Sequence, residues 1–303
     1  MKKIPSFLLK TYNGNPNEEI LLVRQGVDND MYSFFDLSGQ KKIIRVSRNK
    51  SIKDVKKEKE LLEELYAAGA KVLTIVKSVN NREVTILNGQ PVICFNYIEN
   101  DPRVDSNEVY QAGLALGEFH TVSKNIHSQL SRTLFTEYDR ALKNQEIIPK
   151  TFIGGQEFIL DVKRTLTLSK EKTAKTGFIH NDFNNTNVLL KNGKVEYIID
   201  FDLSCQGPLI ADAAFGSVSW STKNGEYLPD KNNFHSFVDG YNQSAPIKFG
   251  VNTDFCFWAA FSCLSIACDL LCDCLENNTF NITDVNQSWM YQRFRYYISK
   301  DSL

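Results

Sequence analysis

Over the first hundred residues, apolar and polar positions follow one another in short runs. Over most of the remainder the apolar positions recur at helical spacing. The short runs at 20–24, 31–35, 42–47, 72–79, 83–87 and 92–97 predict strands. A brief helix at 7–12 is stopped by Asn13-Gly14-Asn15-Pro16. One clear helix covers 52–68: Val55, Leu61, Leu62, Leu65 and Tyr66 form its apolar stripe, and Gly69 is placed to cap it. Beyond residue 100 the spacing predicts helices over 109–120, 152–173, 236–241 and 255–275. Two short strands at 188–190 and 195–199 interrupt them, joined by the Asn192-Gly193 turn. Between the two regimes, Ile98-Glu99-Asn100-Asp101-Pro102 fits neither pattern and reads as a hinge. The expected organisation is α+β: a smaller antiparallel-sheet lobe over 1–97 and a larger, mainly helical lobe over 98–303.

Composition narrows this picture. A chain of 303 residues lies where a single core stops growing, which again favours two lobes. With 42% hydrophobic and 23% charged residues it can bury a core and is not a disordered chain. The net charge of -1 argues against a nucleic-acid partner, and the densest charge run, 50–64, mixes both signs. Met1-Lys2-Lys3 leads into Ile4, Pro5 and Ser6 rather than an apolar secretory segment. The apolar stretch 255–274 is interrupted by Ser262, Ser265, Asp269 and Asp273, so it reads as a buried helix too short to span a bilayer, with no membrane partner expected. Of the seven cysteines, Cys256, Cys263, Cys268, Cys272 and Cys274 cluster there without a CxxC pair or a nearby histidine. They read as small core residues rather than zinc ligands, and so many thiols point to a reducing compartment, with cytoplasmic location expected.

The chemistry concentrates in 177–202. His180, Asp182 and Asn187 occupy a polar stretch before the first short strand, and Asp200 and Asp202 end the second. A hairpin entered by a polar loop and left through a carboxylate can bring Asp182, Asn187 and Asp200 to one end of a small ribbon. One carboxylate can then take a proton from a hydroxyl. An amide oxygen and a second carboxylate are hard ligands suited to a divalent cation.

The pattern H-x-D-x-x-x-x-N followed by I-I-D-F-D resembles the catalytic loop and metal-binding strand of kinases. Its His-Asn-Asp form, with Gly207-Pro208 and Asp212 after it, resembles the aminoglycoside phosphotransferase and choline kinase superfamily. Asp202 replaces the glycine of a D-F-G motif and no A-P-E segment follows, unlike protein kinases. The resemblance implies a two-lobed protein-kinase-like fold and an ATP-dependent (or GTP-dependent), Mg²⁺-dependent phosphotransferase. The acceptor is the hydroxyl of a small molecule: a cationic amino alcohol or aminoglycoside, with choline, ethanolamine and homoserine-like acceptors open. A non-catalytic nucleotide-binding pseudokinase is the rival from another class. The resemblance assigns Asp182 as the base and Asn187 and Asp200 as metal ligands. His180, Asp202 and Asp212 become supporting residues, Asp212 by bracing the loop through backbone N–H groups. It places Gly26, Asn29 and Tyr32 in a phosphate-covering loop, Arg45 on the phosphates with Glu58 as its partner, and the adenine against the connector at Asn96 and Ile98. His120 ends a helix resembling the family's L-x-x-L-H helix and reads as a core residue. Oligomeric state is left open.

Overall fold

The computed structural model describes residues 4–25, 29–100, 106–127, 132–223, 225–277 and 281–301. It divides into two compact units, Met1–Asp101 with Glu196–Ile199, and Pro102–Val195 with Asp200–Leu303.

The first unit is an antiparallel five-stranded sheet with two helices. In chain order come α1 (Ile4–Tyr12), β1 (Leu21–Gln25), β2 (Asn29–Phe35), β3 (Lys41–Ser47), α2 (Ile52–Ala67), β4 (Val84–Leu87) and β5 (Gln90–Asn96). The strand order is β1-β2-β3-β5-β4. Strand alternation decides where the side chains go. Ile44 and Val46 of β3 join a core with Phe34, Val92, Cys94 and the α1 residues Ile4, Leu8 and Tyr12. Arg45, between them, therefore points from the opposite face of the central strand, paired through its backbone with Met31 and Ile93.

Helix α2 starts at a Ser51–Asp54 capping box and buries Val55, Glu58, Leu61, Leu62 and Leu65. It ends at Gly69 (φ +89°), with Gly69 N–H donating to Tyr66 O (3.0 Å) and Ala70 N–H to Leu65 O (2.9 Å), a Schellman closure. The strand expected at 72–79 is absent. Only isolated bridges form there, Val72 to Ile198 and Ile75 to Phe95, because β5 is already paired with β3 along one side and, up to Ile93, with β4 along the other. The β4–β5 turn is the Asn88-Gly89 pair, both at positive φ.

The rest of the chain is mainly helical: α3 (Ser106–Val122), α4 (Thr136–Lys143), α5 (Ile148–Thr151), α6 (Gly155–Lys170), β6 (Thr176–Ile179), β7 (Val188–Lys191), β8 (Lys194–Ile198, whose last three residues belong to the first unit), β9 (Cys205–Pro208), α7 (Leu209–Ser221), α8 (Lys231–Ser244), α9 (Thr253–Asn277) and α10 (Trp289–Ile298). Helices α3 and α8 cross at backbone contact. A Cβ on Gly113 would stand 2.0 Å from Phe237 O, and one on Gly240 would stand 2.0 Å from Tyr110 O. The β7–β8 hairpin turns at Asn192 (φ 51°) and Gly193 (φ 71°), as the Asn-Gly pair predicts. The antiparallel β6–β9 pair has no counterpart in the sequence reading.

Helix α9 is the buried helix expected, but the expectation that it is too short to span a bilayer is corrected. At Thr253–Glu276 it is long and apolar enough to cross a membrane, although 78% of that window is buried inside the fold. Its five cysteines are buried and none forms a disulfide among the described residues.

Candidate active site

Strand β6 delivers the loop 180–187, and β7 carries it away. The β6–β9 ladder, pairing Ile179 with Cys205, fixes where the loop starts. Asn181 is left-handed (φ 62°), which turns the chain sharply, and its side chain donates to Leu203 O (3.1 Å). The turn is braced from below by Asp212 on α7. One Asp212 oxygen accepts from His180 N–H and the other from Asn181 N–H, both at 2.8 Å. His120 Nε2–H donates to the same carboxylate (2.9 Å), which leaves Nδ1 to accept from the Tyr241 hydroxyl (2.8 Å). Asp212 is 1% exposed. Burial works against its charge, but the His120 hydrogen bond and the His180 N–H help to outweigh it and hold the carboxyl below the usual range.

Within the loop, Asp182 N–H donates to His180 Nδ1 (3.3 Å), and the buried His180 ring packs against Phe201 and Phe183. The Asp182 carboxylate is gripped from both sides. The Asn184 amide donates to Oδ1 (2.9 Å) and the Asn187 amide to Oδ2 (2.7 Å). Asn184 is itself locked, because its Oδ1 accepts from Thr186 N–H (2.9 Å) and from the Thr186 hydroxyl (2.7 Å). Burial and the facing Asp200 carboxylate push the Asp182 carboxyl up to about 7, against the pull of the two amides. Asp200 leaves the hairpin in the left-handed region (φ 66°), a strained conformation for a residue with a side chain. Asp202, two residues on, is half-buried.

The donor set suits a divalent cation. Asn187 spends its NH₂ on Asp182 O (3.0 Å) and Oδ2, so its carbonyl oxygen, which takes only a long contact from the Thr186 hydroxyl (3.5 Å), is the end suited to act as a ligand. Asp200 adds an anionic oxygen, and its repulsion of Asp182 is relieved by positive charge between them. Among the described residues no cluster of three or more His, Cys, Asp or Glu side chains forms an alternative metal site.

In the first unit, Glu58 occupies a core position of the α2 stripe at 4% exposure. Such a carboxylate must be paired. Its Oε1 meets Arg45 Nη2 at 2.6 Å and its Oε2 meets Lys50 Nζ at 2.9 Å. The Arg45–Glu58 pair was expected, whereas Lys50 read only as part of a mixed charge run. Asn29 opens β2 and its Oδ1 accepts from the Ser47 hydroxyl (2.9 Å). Asn96, exposed at the end of β5, accepts from Lys42 Nζ (3.1 Å), and Ile98 is half-buried. Gly26 lies outside the described residues, as do Asp101 and Pro102 of the expected hinge.

Beside the loop in the second unit, Asn181, Leu203, Thr136, Glu137, Ser262 and Asp269 line a cavity of about 30 Å³. The wall is acidic. Arg140 on α4 binds Glu137, Asp269, Asp273 and Glu276 together, and Arg132 also pairs with Glu137. Burial and the neighbouring Glu137 and Asp273 carboxylates push Asp269 up to about 7. Further acidic and aromatic side chains of this unit have partners of their own. Asp254 pairs with Lys172, Trp220 packs near Phe183, Trp258 packs near Phe261, and Trp289 lies under Arg293.

Comparison with known proteins shows the family and the fold. Residues 19–245 match the model of the phosphotransferase enzyme family. Among solved structures, an amicoumacin kinase in complex with AMP-PNP, Ca²⁺ and Ami superposes with a TM-score of 0.73 at 15% identity, covering 98% of this chain and 92% of that one. The choline kinase of Streptococcus pneumoniae gives 0.68 at 14% identity, covering 98% and 97%. A spectinomycin phosphotransferase in complex with ADP and spectinomycin gives 0.63 at 14% identity, covering 96% and 98%. At these identities the structural likeness establishes the kinase-like fold.

Proposed function

Since the chain belongs to the phosphotransferase enzyme family, whose members act on small molecules, we propose that it transfers the γ-phosphoryl group of ATP, or of GTP, to a hydroxyl of a cationic small molecule such as an amino alcohol or aminoglycoside. The observation that carries this reading is the Asp182 carboxylate, gripped by two amides and facing Asp200.

Each residue then has a task. Asp182 accepts the proton of the acceptor hydroxyl as its oxygen attacks phosphorus. A base near pH 7 is well matched to that task. The Asn184 and Asn187 amides fix the carboxylate's rotamer, and His180, Asp212 and His120 hold the loop that carries it. Asn187 and Asp200 would hold Mg²⁺, which would supply positive charge against that on the transferring phosphoryl group. Arg45, aligned by Glu58, supplies a planar fork for the phosphates. Asn29 helps the loop that covers them, and the adenine rests against the connector at Asn96 and Ile98. The carboxylates around Arg140 outnumber the cations there, which supports a positively charged acceptor.

Calorimetric titration of ATP with and without Mg²⁺ tests the reading. Mg²⁺ should tighten binding to the native protein by about tenfold or more, worth about 1.4 kcal/mol, and should do little for Asp200→Ala. Equal affinity with and without Mg²⁺ in the native protein would remove the metal assignment. A coupled ATPase screen over hydroxylated amines, sugars and antibiotics then identifies the acceptor.

Asn184 is a residue the sequence pattern did not single out. Asn184→Ala removes one of the two hydrogen bonds that orient Asp182. A hydrogen bond to a charged group contributes about 1.5–3 kcal/mol, so kcat should fall by about ten- to a hundredfold. The KM for ATP should hardly move. A kcat equal to that of the native protein would show that Asn187 orients the carboxylate alone.

A further inference from the structure

The core-facing side of β3 carries a lysine. Ile44 and Val46 point into the core with Cys94 of β5, and Lys42, two residues before Ile44, lies on the same face. It is 7% exposed. An ammonium in such a place has to be answered by oxygens. Three answer it: Asp36 Oδ2 at 3.3 Å, Gln40 Oε1 at 3.2 Å and Asn96 Oδ1 at 3.1 Å. An ammonium has three hydrogens, so these three acceptors saturate it.

Two of the oxygens come from the turn that leads into β3. Asp36 is fixed there, because its Oδ1 accepts from Ser38 N–H (2.9 Å), the Ser38 hydroxyl (2.6 Å) and Gln40 N–H (3.0 Å). The third oxygen ties a different element. Asn96 is the last residue of β5 and the register partner of Lys42. The next residue is held as well: Tyr97 N–H donates to Lys41 O (3.0 Å), and the Lys41 ammonium stands 3.9 Å from the centre of the Tyr97 ring. Two consecutive lysines thus hold Asn96 and Tyr97 where the chain leaves the sheet for the connector. Arg45, three residues along the same strand, points from the opposite face. The Lys42–Asn96 bond therefore lies on the side of the sheet away from Arg45 and can steer the connector without meeting the phosphates.

We propose that Lys42 is a positioning residue for the nucleotide base. By fixing the end of β5 through Asn96, it sets where the backbone of the connector meets the base. The proposal rests on the nucleotide reading above and adds a residue on its base side, while the phosphate side stays with Arg45.

The test measures binding of adenosine, ATP and inorganic tripolyphosphate to the full chain with Mg²⁺ present, in the native protein, Lys42→Met, Asn96→Ala and the double variant. Methionine keeps an unbranched apolar stem and removes the ammonium. Each single variant is expected to bind adenosine and ATP about tenfold more weakly and tripolyphosphate as tightly as the native protein does. The double variant should be no weaker than either single one, because both remove the same bond. Unchanged adenosine affinity in Lys42→Met would overturn the proposal. So would an equal loss for tripolyphosphate, which marks a general loosening of the sheet, or losses that add in the double variant, which mark two independent effects. A native protein that binds neither adenosine nor ATP overturns the nucleotide reading itself, and the native titration alone shows it. Should Lys42→Met unfold, Asn96→Ala decides, since Asn96 is exposed: it must lose adenosine affinity and keep tripolyphosphate affinity.

Discussion

Asp182→Asn is expected to lower kcat by about 10²- to 10⁴-fold while the Kd for ATP stays nearly the same. The substitution keeps the side chain's size but removes its charge and one acceptor oxygen. Two amides now point at a group with an amide of its own, since Asn184 and Asn187 donate to Asp182 Oδ1 and Oδ2. One of those donors loses its partner, and no carboxylate remains to take the proton of the acceptor hydroxyl. The phosphates lose nothing directly, because the Arg45–Glu58 pair belongs to the other unit and does not involve Asp182. The measurement is kcat for the identified acceptor beside ATP Kd in both proteins. Undiminished turnover would sink the base assignment and favour a different proton acceptor. An equal loss of ATP affinity would show that the charge acts on the metal–nucleotide complex instead.

The parts of this site that are legible in the sequence are those that depend on local spacing. His180, Asp182 and Asn187 lie in one loop, so the distance along the chain limits their distance in space, and the Asn192-Gly193 turn brings Asp200 back beside them. Glu58 is not legible from spacing, where it is one of several acids on α2; the family resemblance singles it out as the partner of Arg45, and its burial shows only in the fold. The small antiparallel sheet with a larger helical part follows from the change of period near residue 100.

What stays hidden is decided by tertiary packing. Helix α7 is buried on nearly every side, so it shows no polar face for periodicity to detect. Strands β6 and β9 have four residues each and find each other only across the loop and hairpin they enclose. The Arg140 cluster joins α4 to α9, and nothing near Arg140 in the sequence announces Asp269, Asp273 or Glu276. Lys50 lies in a charge run that mixes both signs, and only the fold turns its ammonium onto Glu58.

Asp212→Asn should cost about 3–5 kcal/mol of folding stability, the usual penalty for removing one member of a buried charged network. Asp212 is the one acceptor shared by the His180 N–H, the Asn181 N–H and His120. Asparagine offers a single oxygen, and its NH₂ would face a donor, leaving a buried N–H unpaired. The pH dependence has a definite sign. The folded-state carboxyl lies below its ordinary value, since the His120 and backbone hydrogen bonds outweigh burial. Its contribution is therefore fully present above the unfolded pKa of about 3.9 and is lost as pH falls through the folded value. Urea denaturation of both proteins should show a constant gap from pH 7 down to about 4, narrowing only below that. The same substitution loosens the turn that positions Asp182, so kcat should fall in material that is still folded. A gap that widens on acidification, or full stability in Asp212→Asn, would mean that the loop is held by the β6–β9 ladder and the His180 packing instead.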